Sequence, residues 1–216
     1  MNAVDTQALD PVRLAGLALA FQHRVERLPD GADASWPVLA ELRPVYGQMH
    51  DGPQRRRALL ALFSRRCGPL PGLQALDTPA GRLALTGRLP LLSRLSALAL
   101  LSRPGVLRCC VERHSRQSLE AALGPAIAAL REAWHEGPAV PGHVAAWVPI
   151  QWACVGYADL TRAGAWPHRS LRRLVRLALP AQWPLPCGTR AIPPLHLPTD
   201  EALRRMEMLF EREASW

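Results

Sequence analysis

The sequence predicts an all-α protein: a compact helical domain around a buried central helix, with little or no β structure. Three observations carry this. Ala and Leu dominate a composition that is 49% hydrophobic, while the strand formers Val, Ile, Thr, Tyr and Phe are scarce. Apolar residues recur at helical spacing between Pro and Gly breaks. No run alternates with period two for long enough to make a strand. The charged fraction of 20% is that of a globular chain, and 216 residues suffice for one sizeable core, or a domain with an appended lobe.

Each element follows from local signals. A first helix is expected from about Thr6 to Leu28, ending before Pro29-Asp30-Gly31. Ser35 is placed to cap a second helix, with Pro37 in its first turn, running to about Tyr46. Gly52-Pro53 breaks the chain before a third helix from Gln54 to Cys67, and Gly68 to Gly72 forms a loop. The central helix is expected over about 81–102, because its Leu residues fall on nearly all faces and such a helix is buried all round. Pro104 suits the first turn of the next helix, which ends near His114. Ser115 can cap another, which Gly124-Pro125 kinks or restarts before about His135.

The segment from Gly137 to Gly142 is the clearest break. It divides the chain into a main helical lobe, residues 1–136, and a smaller helical C-terminal part, residues 143–216. In that second part a helix from His143 to Ala163 is expected to distort at Pro149, and another follows Pro167. A Pro-rich segment, residues 180–198, reads as extended or loop-like. Thr199 caps a last helix with Asp200 and Glu201 in its first turn, where the helix dipole favours acids.

The net charge of +8 is unevenly placed and comes entirely from Arg, since the chain has no Lys. Residues 51–120 hold twelve Arg against four acids, and residues 166–190 hold five Arg and no acid. Without Lys there is no Walker-A lysine and no Schiff-base chemistry. No HExxH, GxSxG or GxGxxG pattern occurs. The five Cys are odd in number and lack a CxxC pair, so neither a disulfide framework nor a zinc site is indicated, and reduced thiols are the simplest reading. Asp5 and Asp10 precede the first apolar stretch, against a secretory signal. Arg88, Arg94 and Arg103 interrupt the longest apolar run, against a membrane span.

Three sets of residues could carry function. Cys110 and His114, four apart, could share a helical face as a metal pair or as nucleophile and base. Two ligands from one helix need others, however, and a buried Cys is the ordinary alternative. Arg169, Arg172, Arg173 and Arg176 fall at i, i+3, i+4 and i+7, opposite an apolar stripe of Leu171, Leu174, Val175 and Ala178. Such a guanidinium face suits docking to an acidic partner, and the bland alternative is a solvated face with internal ion pairs. Arg55, Arg56, Arg57, Arg65 and Arg66 flank the apolar residues of the third helix. The basic balance raises a nucleic-acid-binding regulator as an alternative function. The absence of interleaved aromatics and of a helix-turn-helix or finger pattern disfavours nucleic acid as a partner. Seven Trp, six of them in the second half, can anchor either a core or an interface.

Three consecutive stretches carry a resemblance. Leu89-Pro-Leu-Leu-Ser-Arg-Leu-Ser-Ala-Leu-Ala-Leu-Leu is a leucine-rich helix with an Arg. Val106-Leu-Arg-Cys-Cys-Val111 and Ser118-Leu-Glu-Ala-Ala-Leu-Gly124 follow it. Together they resemble the SctK (YscK-like) family of type III secretion sorting-platform accessory proteins. Phe21 to Pro29 with Ser35-Trp36, the Gly137-Pro138 break and the segment from Leu171 to Pro186 are more loosely similar. The resemblance implies a non-enzymatic adaptor at the cytoplasmic face of the inner membrane. It would link an SctQ-type pod protein to the cytoplasmic domain of an SctD-type inner-membrane ring, and so meet the membrane only peripherally. It implies no catalytic residue, no metal, no cofactor and no small-molecule substrate, and it assigns no contact residues.

Overall fold

A computed structural model describes residues 10–132, 137–182 and 197–211. These fold into fourteen helices with no strand among the described residues, so the expected all-α class is what the chain adopts. The order is α1 Pro11–Glu26, α2 Leu28–Gly31, α3 Pro37–Gln48, α4 Pro53–Cys67, α5 Leu73–Leu76, α6 Pro79–Leu85 and α7 Arg88–Leu101. There follow α8 Gly105–Cys109, α9 Arg113–Leu123, α10 Ala126–Glu132, α11 Gly142–Ala145, α12 Pro149–Arg162, α13 Arg169–Ala178 and α14 Thr199–Glu211. Pro opens α1, α3, α4, α6 and α12, where its missing N–H costs nothing. Asp10 accepts from the Val12 amide at 3.0 Å, and Thr78 accepts from the Gly81 amide at 3.0 Å, capping α1 and α6.

Proline and glycine cut the helices more often than apolar periodicity suggested. The segment expected as one helix over 81–102 is two, α6 and α7, broken at Thr86-Gly87. Thr86 turns its hydroxyl onto the Leu83 carbonyl at 2.8 Å, closing α6. Likewise Pro149 does not distort a helix but starts one, and α11 is a separate turn before it. Ser115 lies inside α9 instead of capping it. Its hydroxyl donates to the Ala146 carbonyl at 2.9 Å, tying α9 to the α11–α12 connection. Ser35 likewise does not cap α3; Trp36 precedes that helix. Most of the Pro-rich segment, residues 183–196, lies outside the described residues, as do Trp134, Trp183 and Cys187.

α7 occupies the centre. From Leu95 to Leu100 every residue is buried, including Ser96, whose hydroxyl donates to the Pro149 carbonyl at 2.8 Å. α12 packs along α7, and the backbones meet at Gly156: a Cβ there would sit 2.1 Å from the Leu95 carbonyl oxygen. Trp152 and Trp147, both buried with ring centroids 5.2 Å apart, extend this contact. Arg103 is buried just beyond the end of α7. It donates to both carboxylate oxygens of Asp159 on α12, at 2.6 and 3.2 Å. A buried charge of this kind is tolerable only with such bidentate pairing.

A second apolar cluster lies to one side. Leu174 and Leu177 of α13 join Val25, Leu28 and Leu39 from α1 to α3 and Leu59, Leu62 and Phe63 of α4. The other apolar face of α13, with Leu171, Val175 and Ala178, belongs to the main core. α13 is therefore the seam between the two clusters, and its remaining face is left to the surface.

Candidate functional site

The surface of α13 is built by a clasp between two distant segments. The Asp33 amide donates to the Leu177 carbonyl at 2.8 Å, the Trp36 indole Nε1 donates to the Leu179 carbonyl at 2.9 Å, and the Ala181 amide donates to Ser35 Oγ at 2.8 Å. The α2–α3 loop is thereby fixed against the end of α13. Arg88 reinforces it, donating to Asp33 at 2.5 Å and to the Ala178 carbonyl at 3.2 Å. Burial opposes ionisation of Asp33, but the Ser35 hydroxyl and amide together with Arg88 hold its carboxyl below the ordinary value.

Of the four arginines of the guanidinium face, Arg169, Arg172 and Arg173 are exposed. Among the described residues no carboxylate forms an ion pair with any of the three. Arg176 differs. It is half-buried, donates to the Pro180 and Ala181 carbonyls at 2.6 and 2.8 Å, and stacks over the Trp36 ring at 5.1 Å. It anchors the clasp as well as contributing charge.

α4 runs into this surface. Arg173 reaches within 3.5 Å of the Cys67 carbonyl, at the C-terminal and therefore negative end of α4. A Cβ on Gly68 would lie 3.8 Å from the Arg173 guanidinium and 4.0 Å from that of Arg169. The last turn of α4 thus adds Arg66, which lines a cleft with Arg173 and Arg176, to the same patch. At the other end of α4, Arg55 pairs with Asp51, and Arg56 pairs with Glu26 at 3.1 Å. Sequence reasoning separated the two basic sets because over a hundred residues lie between them, and nothing local signals that α4 and α13 are neighbours.

Between the start of α3 and α13 lies a cleft of about 250 Å³. Trp36, Val38 and Leu177 give it apolar walls, and Arg66, Arg173 and Arg176 also line it. Val38 is 43% exposed, and Arg66 Nε is buried with no hydrogen-bond partner among the described residues.

Residues 11–211 match the family described as bacterial type III secretion protein, HrpB4. The chain belongs to that family, the SctK (YscK-like) group. No curated protein and no solved structure matches it. The matched span covers both apolar clusters, the α13 seam and the clasp, so the basic surface belongs to the fold of the secretion protein and is not an appendage.

The remaining candidate pair is not assembled. Cys110 is the residue just after α8, and His114 is the second residue of α9. The break at Val111-Glu112 separates them, so they do not share a helical face. His114 is exposed while Cys110 is buried, and burial, assisted by Glu112, pushes that thiol up and away from reactivity. Burial likewise pushes Cys67 to about 12 and Cys154 to about 11. Among the described residues no group of three His, Cys, Asp or Glu side chains could hold a metal ion, and no helix is long and apolar enough to cross a membrane.

Proposed function

We propose that this secretion protein is a non-enzymatic adaptor of the sorting platform at the cytoplasmic face of the inner membrane. It would join an SctQ-type pod protein to the cytoplasmic domain of an SctD-type ring, with the α13 surface docking on an acidic face of one of them. The observation that supports the site is that, among the described residues, Arg169, Arg172 and Arg173 have no carboxylate partner, on a helix whose apolar faces are both committed to cores. A solvated basic face can be inert, but elsewhere on this molecule arginines are repeatedly paired with acids. Concentrated unmatched guanidiniums favour association with carboxylates through both charge and fork geometry.

The test is co-purification of the full chain with each of the two proteins, for the wild type and for Arg172→Glu/Arg173→Glu. Loss of one contact with retention of the other supports both the adaptor role and the site. Binding to neither protein by the wild type overturns the adaptor role. Retention of both contacts by the charge-reversed chain removes the site alone.

A further inference from the structure

We infer that the cleft beside Trp36 receives a short segment of the acidic partner, a single apolar side chain flanked by carboxylates. The docking is then insertion into a cleft and not contact between flat charged faces. This rests on the reading of the α13 surface as an acidic-partner site, and it names the chemistry that site selects.

The cleft has two unmet demands at once. Its apolar walls are uncovered at Val38 and Trp36. Two of its guanidiniums lack acceptors among the described residues: Arg173 has no carboxylate, and the buried Arg66 Nε has no hydrogen-bond partner. A neutral apolar occupant would cover the exposed Arg173 guanidinium without pairing it, which is costly. A purely acidic occupant would leave the apolar walls wet. Only a ligand with both parts meets both demands. At about 250 Å³ the cleft falls below the roughly 300–1,000 Å³ of sites for drug-sized small molecules, and its size suits one anchoring side chain.

The cleft is also rigid before binding. The Trp36 indole is fixed by its bond to the Leu179 carbonyl and by Arg176 stacked on its face. Little ordering is then required of the protein when the segment arrives, and preformed walls of this kind raise affinity without further contacts.

The experiment is nuclear magnetic resonance of the full chain, following the Trp36 indole N–H, assigned with Trp36→Phe. The probe is the peptide acetyl-Asp-Glu-Leu-Glu-Asp-amide. Two controls replace its Leu by Ser, or its acids by their amides. A saturable shift at Trp36 is expected with the probe, about tenfold weaker with either control, as for loss of a central anchor.

Val38→Arg separates cleft from surface, because it fills the mouth while adding positive charge. Insertion predicts that the probe's shift is lost in this variant, and simple charge attraction predicts tighter binding. Arg173→Gln should weaken the probe more than Arg172→Gln, since Arg173 lines the cleft and Arg172 does not. Equal binding of the Ser control, unchanged or tighter binding to Val38→Arg, or association with phosphatidylglycerol vesicles but not with the probe would each overturn the inference. None of these results depends on the co-purification test of the α13 surface, so the two readings fail separately.

Discussion

Gly156→Ala is expected to destabilise the protein, against the ordinary rule for helices. In an exposed helix interior, replacing Gly by Ala gains about 1 kcal/mol, because Ala loses less backbone freedom. Gly156 lies inside α12, where that helix touches α7. A Cβ there would stand 2.1 Å from the Leu95 carbonyl oxygen and 2.9 Å from its carbon, against 3.4 Å for ordinary contact. The helices must therefore part by about 1.3 Å at their closest point, the difference between 3.4 and 2.1 Å. Both obstructing atoms are backbone, so no side-chain rotation can relieve them. Overpacking costs about 1–3 kcal/mol, and a rigid backbone contact belongs at the upper end. Subtracting the propensity gain leaves a net loss of about 2 kcal/mol. In urea unfolding followed by far-ultraviolet circular dichroism, that is a midpoint lowered by about 1 M for a slope near 2 kcal/mol/M. Gly16→Ala is the internal control. Gly16 lies inside α1, and a Cβ there meets nothing within 4 Å, so this variant should gain up to about 1 kcal/mol. If Gly156→Ala matches or exceeds the wild type in stability, the α7–α12 contact is not the close backbone approach described above.

Three further outcomes follow from the same geometry. Asp159→Ala removes the carboxylate that faces buried Arg103 and should cost about 3–5 kcal/mol in urea unfolding; a loss under about 1 kcal/mol would show that the pair does not hold α7 to α12. Asp33, whose carboxyl is held below its ordinary value, contributes stability that is present above the unfolded pKa of about 3.9 and is lost as pH falls through the lower folded value. Asp33→Asn should therefore flatten the stability–pH curve on the acid side, and an unchanged acid slope would refute the role of its Ser35 and Arg88 partners. Cys67 and Cys154, buried with raised pKa values, should resist iodoacetamide in the native protein at neutral pH and react on unfolding; mass spectrometry showing prompt native labelling of either would contradict their burial.

Much of the fold was legible because its signals are local. Apolar periodicity located the long helices, and Pro37 and Gly52-Pro53 marked where α3 and α4 begin; the expected starts of the helices opened by Pro11 and Pro79 lie a few residues off, and Pro149 opens a helix instead of distorting one. What periodicity could not give was where one apolar helix stops and another starts. The stretch from Gly81 to Ser102 carries Leu on nearly all faces, so its pattern gives no phase at the Thr86-Gly87 break, and the Thr86 hydroxyl turned onto Leu83 identifies the end. The site was half legible. The i, i+3, i+4, i+7 spacing on α13 revealed a guanidinium face, because position on one helix is a local property. The α13 spacing could not reveal that Arg176 turns inward to Trp36, or that Arg66 approaches from α4. Those depend on contacts spanning over a hundred residues, such as the indole bond from Trp36 to Leu179.

The way α13 is buried explains why the basic surface can be both strongly charged and rigid. An isolated helix of ten residues with four arginines on one face would be marginal, since short helices gain little from their own hydrogen bonds and like charges at i, i+3 and i+4 repel. Here two opposing cores hold it. Leu171, Val175 and Ala178 enter the main core, while Leu174 and Leu177 enter the second cluster, so α13 cannot shift without opening both. The repulsion is further relieved because Arg176 spends its donors on the carbonyls that end the helix and Arg173 leans toward the negative end of α4. Burial on two sides thus offsets the electrostatic strain that the exposed side accumulates. The arginines are held in place by a scaffold that does not depend on an acidic partner. An acid arriving at Arg169, Arg172 and Arg173 would meet charges already concentrated and oriented, so that most of the ordering cost of the contact is met when the chain folds.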